Sequence, residues 1–336
     1  MSSLKYEYGE KRKMKTFVDR LIDTIREKQS ILCVGLDPQV RYIPKHILQQ
    51  GYDEAKEKDG FEPTARAFVI YFEEIIKATA PYAVIAKPQR AFYEYNHWIE
   101  WAFEEIVKIC KQHGLLTLED AKRCDGGDTS KAYADGHLGE VDVWDSVKSE
   151  IVKKPALDLH AMTVVPEIGT SCLSPFVDAV KQYGKGVFVV DKTSFTPNSE
   201  VEQLVTTSGL KVWEEIALMV QKWSIGCEGE YGINNVGVVM GATYPEDAPR
   251  MRELLPNCFF LVPGYGAQGG GADGAVKGIR SDGLGVIVNS SRGIDYAYQK
   301  EFKCEPKDFA EAARKAAEFS RDDLNQALQR TGKLPW

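Results

Sequence analysis

Short apolar, β-branched runs alternate with longer amphipathic stretches along the whole chain. Eight of the short runs read as strands: ILCVGLD (31–37), YAVIAKP (82–88), LLTLED (115–120), ALDLHAMTVV (156–165), GVFVVDKTS (186–194), NVGVVMGAT (235–243), CFFLVPG (258–264) and LGVIVNSS (284–291). Their apolar positions are nearly continuous rather than alternate, so both faces of each strand must be covered, as in a parallel sheet. Between them ARAFVIYFEEIIKATA (65–80), HWIEWAFEEIVKICKQH (97–113), SEVEQLVTTSGLKVWEEIALMVQKW (199–223) and PEDAPRMRELL (245–255) carry helical spacing. Eight strand–helix units predict an α/β fold, a (β/α)8 TIM barrel. An open doubly wound sheet is the alternative, but it favours a G-x-G-x-x-G first turn, and the first turn here is GLDPQ (35–39).

An additional helix over TFVDRLIDTIREKQ (16–29) precedes the first strand and is expected to close the barrel floor. Loop insertions are expected at 40–62, 135–155 and 199–234. No repeat, low-complexity tract or linker divides the chain, so residues 1–15 read as a flexible arm and 16–336 as one barrel domain. At 336 residues, 43% hydrophobic and 27% charged, the composition is that of a globular protein. A net charge of −7 offers no field to attract nucleic acid or an anionic membrane. No apolar run approaches a bilayer span, and the charged start MSSLKYEYGEKRKM is no secretory signal. Seven scattered cysteines read as reduced thiols of a cytoplasmic protein, and the five histidines show no metal-ligand spacing.

Catalytic groups of such barrels sit at the carboxyl ends of the strands. Those positions hold Asp37, Lys87, Asp120 with Lys122, Thr163, Thr193 with Ser194, Gln268, and Ser291 with Arg292. Acids and amines occupy the early ends; hydroxyls, an amide and a guanidinium occupy the later ones. Asp120 and Lys122 are two residues apart, which in an extended backbone directs both side chains to one side, and Asp125 follows after a bend. Acid and amine groups alternating in a pocket keep one another ionised. A surface salt-bridge loop would share this spacing; placement after an apolar strand favours a site. Glycine-rich LVPGYGAQGGGADG (261–274), followed one strand later by Arg292, suits a phosphate at the last two loops. His160 reads as a barrel-packing residue, His113 and His137 as helix-end or loop residues, Cys124 as a bystander without a histidine partner, and AFYEYNHWIEW (91–101) as packing.

With these residues in view, the chain resembles the orotidine 5′-phosphate decarboxylases in their longer bacterial-type form. The resemblance runs through VGLDP (34–38), AKPQRAFYE (86–94), EDAKRCDGGDTSKAYA (119–134), TVVPEIGTS (163–171), DKTSFTP (191–197), GATYPED (241–247), VPGYGAQGG (262–270) and VNSSRGI (288–294). It implies loss of CO2 from C6 of orotidylate to give UMP, the last step of pyrimidine nucleotide synthesis, in a homodimeric barrel with neither metal nor organic cofactor. Position by position, it makes Lys122 the proton donor to C6, sets Asp120 beside the departing carboxylate, and has Lys87 bridge Asp120 and the ribose. Asp37 would hold a ribose hydroxyl. Asp125 and Thr129 would enter the neighbouring subunit's pocket. Ser194 and Thr193 would read the pyrimidine edge, and Gln268 and Arg292, beside Ser291, would bind phosphate. The chain departs from the family pattern at Gly126, where a bulky apolar residue is usual, and at Cys124 and Asp128. Two other functions share parts of this pattern: a metal-dependent hexulose-phosphate synthase-like aldolase, and a phosphate-ligand sensor without catalysis.

Overall fold

The structure is a computed structural model, and it describes residues 15–195, 200–266 and 269–336. Most of the predicted 1–15 arm, the start of the predicted 199–223 helix and Gln268 therefore lie outside the described residues. Among the described residues ten strands form: β1 (Leu32–Leu36), β2 (Ile85–Pro88), β3 (Leu116–Arg123), β4 (Glu140–Asp145), β5 (Glu150–Pro155), β6 (Ala161–Val164), β7 (Gly186–Lys192), β8 (Asn234–Met240), β9 (Cys258–Val262) and β10 (Val286–Ser290). Eight close into a barrel in the order β1-β10-β9-β8-β7-β6-β3-β2. Every neighbouring pair whose register is resolved runs parallel. Each predicted strand contributes one, and β1, β2, β6, β9 and β10 are buried at every position, as their continuous apolar runs required.

The helices are α1 (Phe17–Lys28), α2 (Lys45–Glu54), α3 (Phe61–Thr79), α4 (His97–Gln112), α5 (Gly127–His137), α6 (Thr170–Tyr183), α7 (Val212–Trp223), α8 (Ala248–Leu254), α9 (Ala272–Ala275), α10 (Arg292–Asp295) and α11 (Phe309–Arg330). None is long and apolar enough to cross a membrane among the described residues. At 12 residues, α1 is too short to persist alone and depends on the face it buries. Phe17, Val18, Leu21, Ile22 and Ile25 are that face, worth roughly 1.5–3 kcal/mol per large side chain. Its first turn is bonded to the starts of two strands, Phe17 N–H to Gly184 O at 2.7 Å and Val18 N–H to Asn235 Oδ1 at 2.8 Å. Gly186 lies flat against the Phe17 ring, where a Cβ would come within 2.2 Å of it. The helix thus covers the floor, as its amphipathic pattern implied.

Four expectations need correction. The 40–62 insertion is not all loop, because α2 occupies Lys45–Glu54. The 156–165 run is a strand only over Ala161–Val164, because Asp158 turns the chain with φ +50° and is gripped by Lys111 and Lys185. The 135–155 insertion is no mere loop: β4 and β5 pair as an antiparallel hairpin, with Trp144 opposite Ile151. The 199–223 stretch turns helical only at Val212, after a tight turn at Gly209 (φ +85°) and a bond from Lys211 N–H to Glu214 Oε2 that caps the new helix.

Candidate active site

Asp120, on β3, is the centre of the pocket at the carboxyl ends of the strands. Its Oδ1 accepts Lys122 Nζ at 2.5 Å and Thr163 Oγ1 at 2.9 Å; its Oδ2 accepts Lys87 Nζ and Gln89 Nε2, each at 3.0 Å. Burial alone would raise the Asp120 carboxyl, but Lys87 and Lys122 together outweigh it and hold the group well below the usual range. Lys87 is buried as well; that would lower it, yet Asp120 and then Asp37 drive it above the ordinary lysine value. Both partners therefore stay charged. The Asp120–Lys122 pairing arises differently from simple strand alternation. Register shifts between Glu119 and Arg123, Lys122 takes φ +51°, and its N–H is caught by Thr163 Oγ1 at 2.9 Å. A left-handed lysine is costly backbone, of the kind that clusters at functional sites.

On the β1 side, Asp37 is half-buried next to Lys87 and Ser291. Burial raises its carboxyl, with Lys87 and a hydrogen bond to Ser291 pulling the other way. Its Oδ1 has no partner among the described residues, and neither has the buried Thr193 Oγ1. Buried oxygens in that state are open to a ligand's donor. Gly35 lets Ser291 approach: a Cβ there would fall 1.8 Å from Ser291 Oγ. Arg292, exposed at the start of α10, forms no ion pair among the described residues.

One cavity of about 200 Å3 is lined by Asp37, Lys87, Asp120, Lys122, Thr193, Ser194, Ser291 and Arg292, bringing eight predicted residues together. A floor hollow lined by Arg20 and His160 is larger, about 330 Å3, so chemistry and not volume singles out the first. Asp125 and Thr129 do not line the cavity; both are exposed around the N-terminus of α5, where Asp125 Oδ1 accepts Gly126 N–H at 2.6 Å. Gly126 has open space where a side chain would start. Burial pushes the Cys124 thiol up, away from thiolate chemistry. His160 receives Thr117 N–H on Nδ1 at 3.1 Å, and burial lowers it to about 4, a packing role.

The motif reading did not single out Gln89 and Asn289, which also line the cavity. Both stand within quoted motifs, Gln89 in AKPQRAFYE and Asn289 in VNSSRGI, but neither sits at the strand-end position that the motifs mark.

A family profile for the orotidine 5′-phosphate decarboxylase / HUMPS family matches residues 30–305. The chain belongs to that family. An orotidine 5′-phosphate decarboxylase of Caldicellulosiruptor bescii is 35% identical over 94% of this chain and 100% of its own length. One from Haloarcula marismortui is 35% identical over 93% of this chain and 98% of its own length. Among solved structures, the OMP decarboxylase of Leishmania donovani superposes with a TM-score of 0.68 at 28% identity, covering 93% of this chain and 98% of that one. The barrel and its strand-end site thus sit in a chain whose decarboxylase relatives match more than nine-tenths of it.

Proposed function

We propose that this protein decarboxylates orotidine 5′-phosphate to UMP and CO2, the closing step of pyrimidine nucleotide synthesis, through the array centred on Asp120. The observation that carries the reading is the saturation of the Asp120 carboxylate by four donors, two of them ammonium groups, inside the cavity. Loss of CO2 leaves an electron pair in an sp2 orbital at C6 with no ring acceptor. A preorganised ammonium is what such localised charge needs, and Lys122 supplies both the charge and the proton. The ionised Asp120 repels the substrate carboxylate more than it does departing CO2. Lys87 links this array to the ribose, Asp37 takes a ribose hydroxyl, Thr193 and Ser194 face the pyrimidine, and Arg292 with Ser291 and Gln268 holds phosphate. Phosphate is remote from the broken bond, yet its binding energy helps order the site around the ring.

Two further assignments belong to this reading. The protein works as a homodimer in which Asp125 and Thr129 serve the opposite barrel; their exposure outside their own cavity supports it. It acts in the cytoplasm, in keeping with seven cysteines that are all free. The deciding experiment incubates purified protein with orotidylate and follows the loss of its ultraviolet absorbance as UMP appears, before and after exhaustive EDTA treatment. Turnover in both is expected; turnover abolished by EDTA would overturn the metal-free mechanism, and none at all would overturn the assignment. In Lys122→Ala, kcat should fall by at least several hundred-fold, the equivalent of ~3–4 kcal/mol for one preorganised charge, while UMP still binds.

A further inference from the structure

Three successive residues at the end of β7 are each held through the main chain by a side chain from elsewhere. Thr193 N–H donates to the Glu202 carboxylate, at 3.1 and 3.2 Å to its two oxygens. Thr243 Oγ1 donates to Ser194 O at 3.0 Å, and the Tyr244 hydroxyl donates to Phe195 O at 2.5 Å. Gly241 supports the segment from β8: its N–H bonds Lys192 O at 2.8 Å, and a Cβ on it would lie 2.6 Å from Thr193 O and 2.7 Å from Ser194 Cα.

The clamp is itself braced. Lys192 is fully buried, with Nζ 3.2 Å from Glu202 Oε2 and 3.8 Å from the centre of the Tyr244 ring. Glu202, Thr243 and Tyr244 do not line the cavity, whereas Thr193, Ser194 and Phe195 do. Buried ion pairs add little net stability over well-packed apolar groups, so their use behind a site points to geometry. Strand-end loops are otherwise free to shift, and a ligand loses affinity when its contacts must be ordered at binding.

We propose that Glu202, Thr243 and Tyr244 are positioning residues that fix the base-recognition segment Thr193–Phe195 without touching the ligand. This rests on the assignment of Thr193 and Ser194 to the pyrimidine. It follows that loosening the clamp weakens ligands that carry the base and spares those that carry only the sugar phosphate.

The test compares UMP and ribose 5-phosphate as competitive inhibitors of orotidylate turnover in the wild type, Thr243→Val and Tyr244→Phe. Tyr244→Phe keeps the ring on Lys192 and removes one hydroxyl. Each variant should bind UMP about fivefold more weakly, the usual net effect of one lost hydrogen bond, while ribose 5-phosphate changes by less than about twofold. Glu202→Gln strips Lys192 of its counter-charge and is expected to fold poorly, so the other two variants decide. Equal losses for both ligands, or unchanged UMP affinity, would overturn the positioning role. A wild type that bound ribose 5-phosphate as tightly as UMP would overturn the pyrimidine assignment and the inference with it.

Discussion

Asp120 and Asp191 are both buried near the ends of barrel strands, and their surroundings drive them in opposite directions. Asp120 has four donors and stays ionised. Asp191 has no partner on either oxygen among the described residues; burial, with Glu202 adding to it, pushes the carboxyl well above the usual range, and Lys192 offsets this only in part. Above the ordinary carboxyl value of about 3.9 the unfolded chain carries Asp191 ionised, while the folded chain keeps its proton to higher pH. The folded state therefore binds more protons, and stability falls with rising pH, by at most about 1.4 kcal/mol per pH unit. Asp120 has the opposite sign, its contribution being present above the unfolded carboxyl value of about 3.9 and lost only in more acid solution. Thermal melts of Asp191→Asn and wild type above that value should show an advantage for the variant that grows with pH. A constant difference would mean that Asp191 does not hold its proton.

At the scale of elements, the short helix α10 and the residue after it act as a splint for the end of β1. Asp295 Oδ2 accepts Asp37 N–H at 3.2 Å, while the Tyr296 hydroxyl donates to Asp37 O at 2.7 Å and accepts Gln39 N–H at 2.8 Å. One short segment thus carries Arg292 and Ser291 and also fixes Asp37. Tyr296→Phe leaves the ring against Tyr42 and Tyr71 but removes two hydrogen bonds, each worth ~1 kcal/mol. The variant should lose roughly 2 kcal/mol of stability in a urea melt, and its KM for orotidylate should rise by about tenfold if Asp37 shifts. A destabilised variant with unchanged KM would show that the splint does not act on substrate through Asp37. None of this was legible in the sequence, because Asp295 and Tyr296 lie beyond the strand end that drew attention. The β4–β5 hairpin was legible in part. EVDV (140–143) alternates polar and apolar residues as a half-exposed strand does, but its position inside a barrel unit made a loop the simpler expectation.

For the whole molecule, the proposed shared site has a test that depends on symmetry alone. Lys122→Ala and Asp125→Ala subunits, each inactive, are mixed in equal amounts and refolded together. About half of random dimers are then mixed, and each mixed dimer has one site with both lesions and one with none. Activity should return to about a quarter of wild type. If both residues served one barrel, mixed dimers confirmed by mass would stay inactive.

The sequence alone was enough for the barrel and for eight of the residues that line its cavity, because both depend on local facts. Continuous apolar runs such as LCVGL (32–36) can be buried only as two-sided strands, and in a parallel barrel the residues that follow such runs converge at one end. Tertiary structure decided what depends on distance through space. Register slip at Lys122, not strand alternation, sets the Asp120–Lys122 pair. Partners remote in sequence hold the site, Glu202 and Tyr244 behind Thr193 and Phe195, and Asp295 and Tyr296 behind Asp37. A side chain's hydrogen-bond partner across a fold leaves no periodicity in the chain, so contacts of this kind become visible only once the barrel has closed.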